Sequence, residues 1–116
     1  MNRVNHLRVD IDLDRVEAWD AILATLRASI YKTAIYHLTK KGIHIEIFEL
    51  PCLENLRRLF FDDPQRIEMD AERSRYGLTT NVLFVAKDGH KVEITRNVEV
   101  VLEWIEELKK RVKLRR

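Results

Sequence analysis

The chain is short of the residues that would tie it to an oxidising compartment, a membrane or a disordered state. Its one cysteine, Cys52, excludes an internal disulfide and any multi-cysteine zinc cluster. The thiol is read as a small buried hydrophobe. No stretch approaches the roughly 20 apolar residues needed to span a bilayer, and the N-terminus lacks the apolar run of a signal peptide. The expected location is therefore cytoplasmic, with no membrane partner. Glycine occurs three times and glutamine once, at Gln65, against abundant Lys, Arg and Glu, a balance that suits a thermophile. There is no internal repeat, no low-complexity tract and no linker long enough to divide domains, so the 116 residues are expected to form one domain, 1–116, around one core.

What is present is the mixture of an ordinary globular chain, 46% hydrophobic and 34% charged. Basic and acidic residues nearly cancel, 21 against 19, and a net charge of +2 does not by itself imply a nucleic-acid partner. The distribution is more telling. Six of the last eight residues are basic (Lys109, Lys110, Arg111, Lys113, Arg115, Arg116), while acids gather near the N-terminus and between Asp62 and Asp70. That asymmetry points toward phosphate.

The stretch around which the chain is organised is Arg8 to Asp14, Arg-Val-Asp-Ile-Asp-Leu-Asp. With a side-chain period of two, Val9, Ile11 and Leu13 face one way and Asp10, Asp12 and Asp14 the other. Acids spaced like this repel one another and disfavour a strand. Two readings stand open: a solvated face that discourages edge pairing, or carboxylates compensated by a divalent cation such as Mg²⁺.

The rest of the chain reads in order. Asp14 and Glu17 resemble a capping box ahead of a helix over about 15–29, with Val16, Trp19, Ile22, Leu23, Leu26 and Ile30 at helical spacing. Tyr31 to Leu38 and Ile43 to Phe48 read as a hairpin. Pro51 suits the first turn of a helix that runs to about Phe61 with Leu53, Leu56, Leu59 and Phe60 as its stripe, and Asp62-Asp63-Pro64 stops it. Arg66 to Asp70 alternates again and reads as a strand, followed by a loop over Ser74 to Thr80. Asn81 to Lys87 and Lys91 to Thr95 flank Asp88-Gly89, a hairpin signal. Asn97 caps a last helix with Val98, Val101, Leu102, Ile105, Leu108 and Val112 on one face. The basic end of that helix suits its dipole.

This order predicts an α+β fold with helices packed on one face of a sheet. Asp10 and Asp12, then His44 and Glu46, then Glu68 and Asp70 would share the other face, leaving an open acidic surface with a histidine in it. A solvated face with chance alternation gives the same parity, and the two readings weigh evenly.

In these residues the chain resembles the archaeo-eukaryotic primase superfamily, and most nearly the compact primase-polymerases of archaeal plasmids and viruses. Asp10-Ile11-Asp12 matches that family's Asp-hydrophobic-Asp motif. The segment Thr39-Lys40-Lys41-Gly42-Ile43-His44-Ile45 matches the histidine motif that precedes a hydrophobic strand. Met69-Asp70 matches the hydrophobic-Asp that ends a strand, approached through Asp62-Asp63-Pro64 and Arg66-Ile67. The match covers about residues 8–87. The chain departs from the family in being shorter, in lacking its zinc-binding element, and in having no serine in the second motif.

The resemblance implies an RRM-like sheet and a minimal metal-dependent nucleotidyltransferase acting in DNA replication, with nucleoside triphosphates and a single-stranded DNA template as partners, alone or with a helper subunit. Asp10, Asp12 and Asp70 would hold two Mg²⁺ or Mn²⁺ ions that activate a 3′-hydroxyl. His44 would bind the nucleotide's phosphates, assisted by Lys40, Lys41 or Arg66, though a solvated turn accounts for both lysines. The alternative is a non-catalytic nucleic-acid-binding replication accessory domain with the same fold. A third reading, a rolling-circle initiator, would pair His44 and Glu46 with a nucleophilic Tyr76, and it has no place for Asp10 and Asp12.

Overall fold

Apolar alternation sets the sheet. In the computed structural model, which describes residues 6–77 and 93–115, Leu7, Val9 and Ile11 are wholly buried along β1 (His6–Asp12), and the residues between them are only partly covered. β2 (Ala34–Leu38) and β3 (Gly42–Pro51) form the predicted hairpin, with Leu38 opposite Ile43. β3 also pairs antiparallel with β1, so β1 and β2 run parallel on either side of it, joined across by α1 (Ala18–Ala28). This is a split β-α-β unit. The short strand β4 (Ile94–Thr95) pairs antiparallel with the free edge of β2, giving the order β1-β3-β2-β4.

Gly42 makes the closest approach in this sheet. It lies opposite Asp12, and a Cβ there would sit 1.7 Å from the Ile11 carbonyl oxygen, so any side chain would force β1 and β3 apart.

One face of the sheet carries the apolar core. Ile43, Ile45 and Ile47 join Leu7, Val9, Ile11, Ala34 and Tyr36 beneath α1 and the C-terminal helix α4 (Val98–Arg115), which pack on each other. Fully burying each of the larger side chains contributes roughly 1.5–3 kcal/mol. α4 follows the sequence: Asn97 Oδ1 accepts from the Glu99 amide at 2.9 Å, and Val101, Ile105 and Leu108 are buried. Among the described residues no helix is long and apolar enough to cross a membrane.

Several sequence expectations are corrected. α1 begins at Ala18 rather than Arg15, and neither Asp14 nor Glu17 caps it. Asp12 organises the entry instead: its Oδ1 accepts from the Asp14 amide at 2.8 Å and its carbonyl accepts from Arg15 and Val16. α1 also turns a different side inward. Ala21, Ala24, Thr25 and Ala28 are buried, while Trp19 and Ile30 are about three-quarters exposed, at 74% and 75%. Small residues let the helix lie close to its neighbours, and the bulk that fills the core comes from the strands. Thr25 takes part through its carbonyl, which accepts from the Tyr36 hydroxyl at 3.0 Å. Pro51 ends β3, and the next helix, α2 (Glu54–Leu59), starts three residues later.

The largest correction concerns Arg66 to Asp70, which is helical within α3 (Pro64–Arg75). Asp63 caps it by accepting from the Gln65 amide at 3.0 Å, and Pro64 takes the first helical position. Five alternating residues fit either period. Here Ile67 and Asp70, three apart, are buried together while Glu68 and Met69 are exposed. Of the expected loop, Ser74 and Arg75 belong to α3 and Tyr76-Gly77 close it, Gly77 with φ 70°. Most of the Asp88-Gly89 hairpin lies outside the described residues; of its second strand, Ile94 and Thr95 are seen as β4.

Candidate functional site

The second face of the sheet holds Asp10, His44 and Glu46 of the residues that parity assigned to it, each tied to a neighbour, whereas Glu68 and Asp70 lie on α3. Asp10 lies opposite His44, Arg8 opposite Glu46, and His37 on β2 opposite His44. Asp10's backbone points away from β3: its amide donates to Asp62 Oδ1 at 2.8 Å, and its carbonyl accepts from the Asp63 amide at 2.9 Å. Asp10 and His44 are thus a non-hydrogen-bonded cross-strand pair, the kind in which side chains come closest. His44 Nε2 stands 3.2 Å from Asp10 Oδ1.

Glu46 is the hub of this face. One carboxylate oxygen receives His6 Nε2 and Arg8 Nε, both at 2.9 Å, and the other receives His37 Nε2 at 2.8 Å. The hydrogen bond from His37 pulls the Glu46 pKa down to about 2, against the opposing effect of burial, with help from His6 and the Arg8 charge. Phe48, next but one along β3, stacks on the His6 ring with centroids 4.2 Å apart. The centre of the face is closed: His37, His44 and Glu46 are 6%, 7% and 7% exposed. The expected open acidic surface is therefore a mostly buried mixture of imidazoles, one guanidinium and two carboxylates. Because the carboxylates occupy the Nε2 positions of His37 and His44, each ring presents a buried Nδ1 with no partner among the described residues.

The remaining predicted residues lie elsewhere. Asp12 is engaged in its turn. Asp70 sits on α3, where its carboxylate meets Arg57 Nη1 at 2.9 Å. Arg57 also holds Asp62 at 2.6 Å, and Arg66 grips both Asp62 oxygens at 2.7 and 2.9 Å. Burial disfavours the Arg57 charge, yet the hydrogen bond to Asp62 and the charges of Asp62 and Asp70 outweigh it and hold its pKa above the usual value. Cys52 beside this network is half-buried, and burial pushes its thiol up. Asp10 and His44 are thus brought together, Asp12 is engaged in its turn, and Asp70 and Arg66 share the Arg57 network, which reaches the Asp10 amide through Asp62. Among the described residues no three His, Cys, Asp or Glu side chains are grouped to hold a metal ion. The donor set required by two cations is not assembled.

Sequence reasoning passed over His6, Arg8, His37, Arg57 and Asp62. Arg8 and His6 share the parity of Asp10, so their place on this face was readable; the reach of Arg57 across two helices was not.

A second locus lies at the end of the sheet where β1 runs into its turn. A cleft of about 150 Å³ is lined by Leu13, Arg15, Val16, Glu17, Ala18, Lys109 and Val112. The β2–β3 turn borders it, since the Leu13 amide donates to the Lys41 carbonyl at 2.9 Å. Lys40 and Lys41 of that turn are exposed, as are Lys109, which lines the cleft, and Lys110 and Arg111, which follow it on α4. Acids partly offset this charge: Asp63 accepts from Arg15 Nη1 at 2.9 Å, Asp14 lies 3.5 Å from Lys41 Nζ, Glu107 lies 3.5 Å from Lys110 Nζ, and Glu17 is itself part of the lining.

No protein-family model, curated protein or solved structure matches this chain.

Proposed function

We propose that this chain is a non-catalytic nucleic-acid-binding domain, an accessory of DNA replication with an RRM-like core, that holds single-stranded DNA by its phosphates. The observation that carries this reading is a cleft lined by Arg15 and by Lys109 of α4, with the Lys40-Lys41 turn bonded to its edge at Leu13. Cations spread over three elements and facing solvent suit a phosphate chain better than a single buried anion. The split β-α-β unit is a feature this fold would share with an RRM-like sheet. Asp12 and Asp70, which a polymerase would need free, serve a turn and an ion-pair network instead.

The test is fluorescence anisotropy of a labelled single-stranded oligonucleotide with the full chain in EDTA. Binding should weaken at least tenfold between 50 and 200 mM salt. The double variant Lys41→Glu, Lys109→Glu should lose at least another tenfold, and Asp12→Asn should bind as the parent does. Absence of binding at 50 mM salt, or binding indifferent to the double variant, would overturn the reading.

One observation favours the nucleotidyltransferase reading as a second: two of the three motif positions, Asp10 and His44, do face each other at 3.2 Å. That reading requires primer extension with Mg²⁺ or Mn²⁺ and nucleoside triphosphates, abolished by Asp10→Asn.

A further inference from the structure

α1 carries its bulk away from the core. Trp19, Leu23, Leu26 and Ile30 are spaced by four, three and four residues, the spacing of a helix seam. Trp19, Leu26 and Ile30 are 74%, 46% and 75% exposed, and half-buried Leu23 stands outside the core cluster of the described residues. Single exposed apolar side chains need no explanation, but Trp19 and Leu26 with half-buried Leu23 on one line of α1, continued by exposed Ile30 in the turn that follows it, make a contact surface.

We propose that this stripe joins two copies of the chain, their α1 helices side by side and antiparallel about a two-fold axis. The flanking charges argue for this occupant and this orientation. Asp20 and Arg27 each follow a seam residue by one position and so lie on the same flank, about two turns apart. An antiparallel two-fold pairing brings a flank against its own counterpart, which sets Asp20 of one copy near Arg27 of the other, twice. A parallel pairing would set both against the opposite flank, where Ile22 and Ser29 lie. Arg27 Nη1 donates to the Leu59 carbonyl at 2.8 Å, and Arg27 has further donors for a carboxylate. Eleven helical residues span about 16 Å, so the contact belongs to the small, transient class, with dissociation in the range of roughly 10–100 μM.

Sedimentation equilibrium of the full chain from about 5 to 500 μM reads this directly. The parent should pass from monomer to dimer across that range, and Trp19→Glu should remain monomeric with an unchanged circular-dichroism melt. Asp20→Arg alone and Arg27→Asp alone should each weaken association about tenfold, and the double exchange should bring it back to within about threefold of the parent. The melt of Arg27→Asp accounts for its lost bond to Leu59 and its lost place over the Phe61 ring. A parent that stays monomeric to 500 μM would assign the stripe to some other chain and overturn the proposal. So would a dimer that survives Trp19→Glu, or a double exchange that restores nothing.

Discussion

The two faces of the sheet are closed by different physics. Under α1 and α4, Ile43, Ile45, Ile47, Val9 and Tyr36 are shielded by apolar neighbours whose attraction is additive and indifferent to pH. On the other side of the same strands His37, His44 and Glu46 are almost as well buried, but there each carboxylate and each Nε2 meets a specific partner, while the Nδ1 atoms of His37 and His44 are left without one among the described residues. An apolar face tolerates the loss of one member as a cavity. A face closed by ions does not, because removing one partner strands another in a poor solvent. The Arg57, Asp62, Arg66 and Asp70 network beside β1 takes the second principle furthest, as Asp62 is 3% exposed and shared by two guanidinium groups.

Mutations can break this comparison. The largest effect should come from Arg57→Leu, which leaves Asp62 and Asp70 short of their buried partner; destabilisation of about 3–5 kcal/mol is expected in urea unfolding. A loss under about 1 kcal/mol would mean that the network is solvated. Next is Ile45→Ala on the apolar face, at about 3 kcal/mol and the same from pH 4 to pH 8, since it removes only volume.

Glu46→Gln should cost about 2 kcal/mol at pH 7 and also remove a pH dependence. Its carboxyl pKa is lowered from 4.5 to about 2 by folding, so its contribution is fully present above 4.5 and disappears as the pH falls from there toward 2. Melting curves of the parent should fall across that window, and those of Glu46→Gln should fall less. Parallel curves would remove Glu46 from the centre of the face. The smallest effect belongs to Tyr36→Phe, about 1 kcal/mol for the hydroxyl's bond to the Thr25 carbonyl. Burial raises the Tyr36 pKa from 10.0 to about 12, so this stabilisation is present below 10 and lost as the pH rises from 10 to 12, which a phenolate absorbance titration would follow.

Period-two patterning was readable wherever a strand was long enough to repeat it. β1, β2 and β3 followed from alternating apolar residues and from the turn at Thr39 to Gly42, and α4 followed from Asn97 and its stripe. Arg66 to Asp70 failed because five residues satisfy two periods, and the decisive cue, Asp63-Pro64 as a helix start, was read as a stop for the helix before it. The stripe of α1 was assigned to the core because large apolar residues usually go there; the alanines that fit under the sheet carry almost no hydropathic signal. That Asp10 and His44 lie on the same face of the sheet was legible from parity; that they stand opposite each other depends on a register that parity does not give. Which cations neutralise Glu46, Asp62 and Asp70 depends on contacts 4 to 40 positions apart in the chain, and single-residue patterns do not encode them.

The central claim is that the carboxylates of the histidine face are matched by its own imidazoles and guanidinium rather than by a cation. Thermal unfolding of the full chain with and without Mn²⁺ and a nucleoside triphosphate addresses it most directly. The account predicts that Mn²⁺ and the nucleotide leave the transition of the parent where it stood without them, and likewise that of Asp10→Asn. A rise of several degrees in the parent alone, dependent on Mn²⁺ and the nucleotide together, would contradict it.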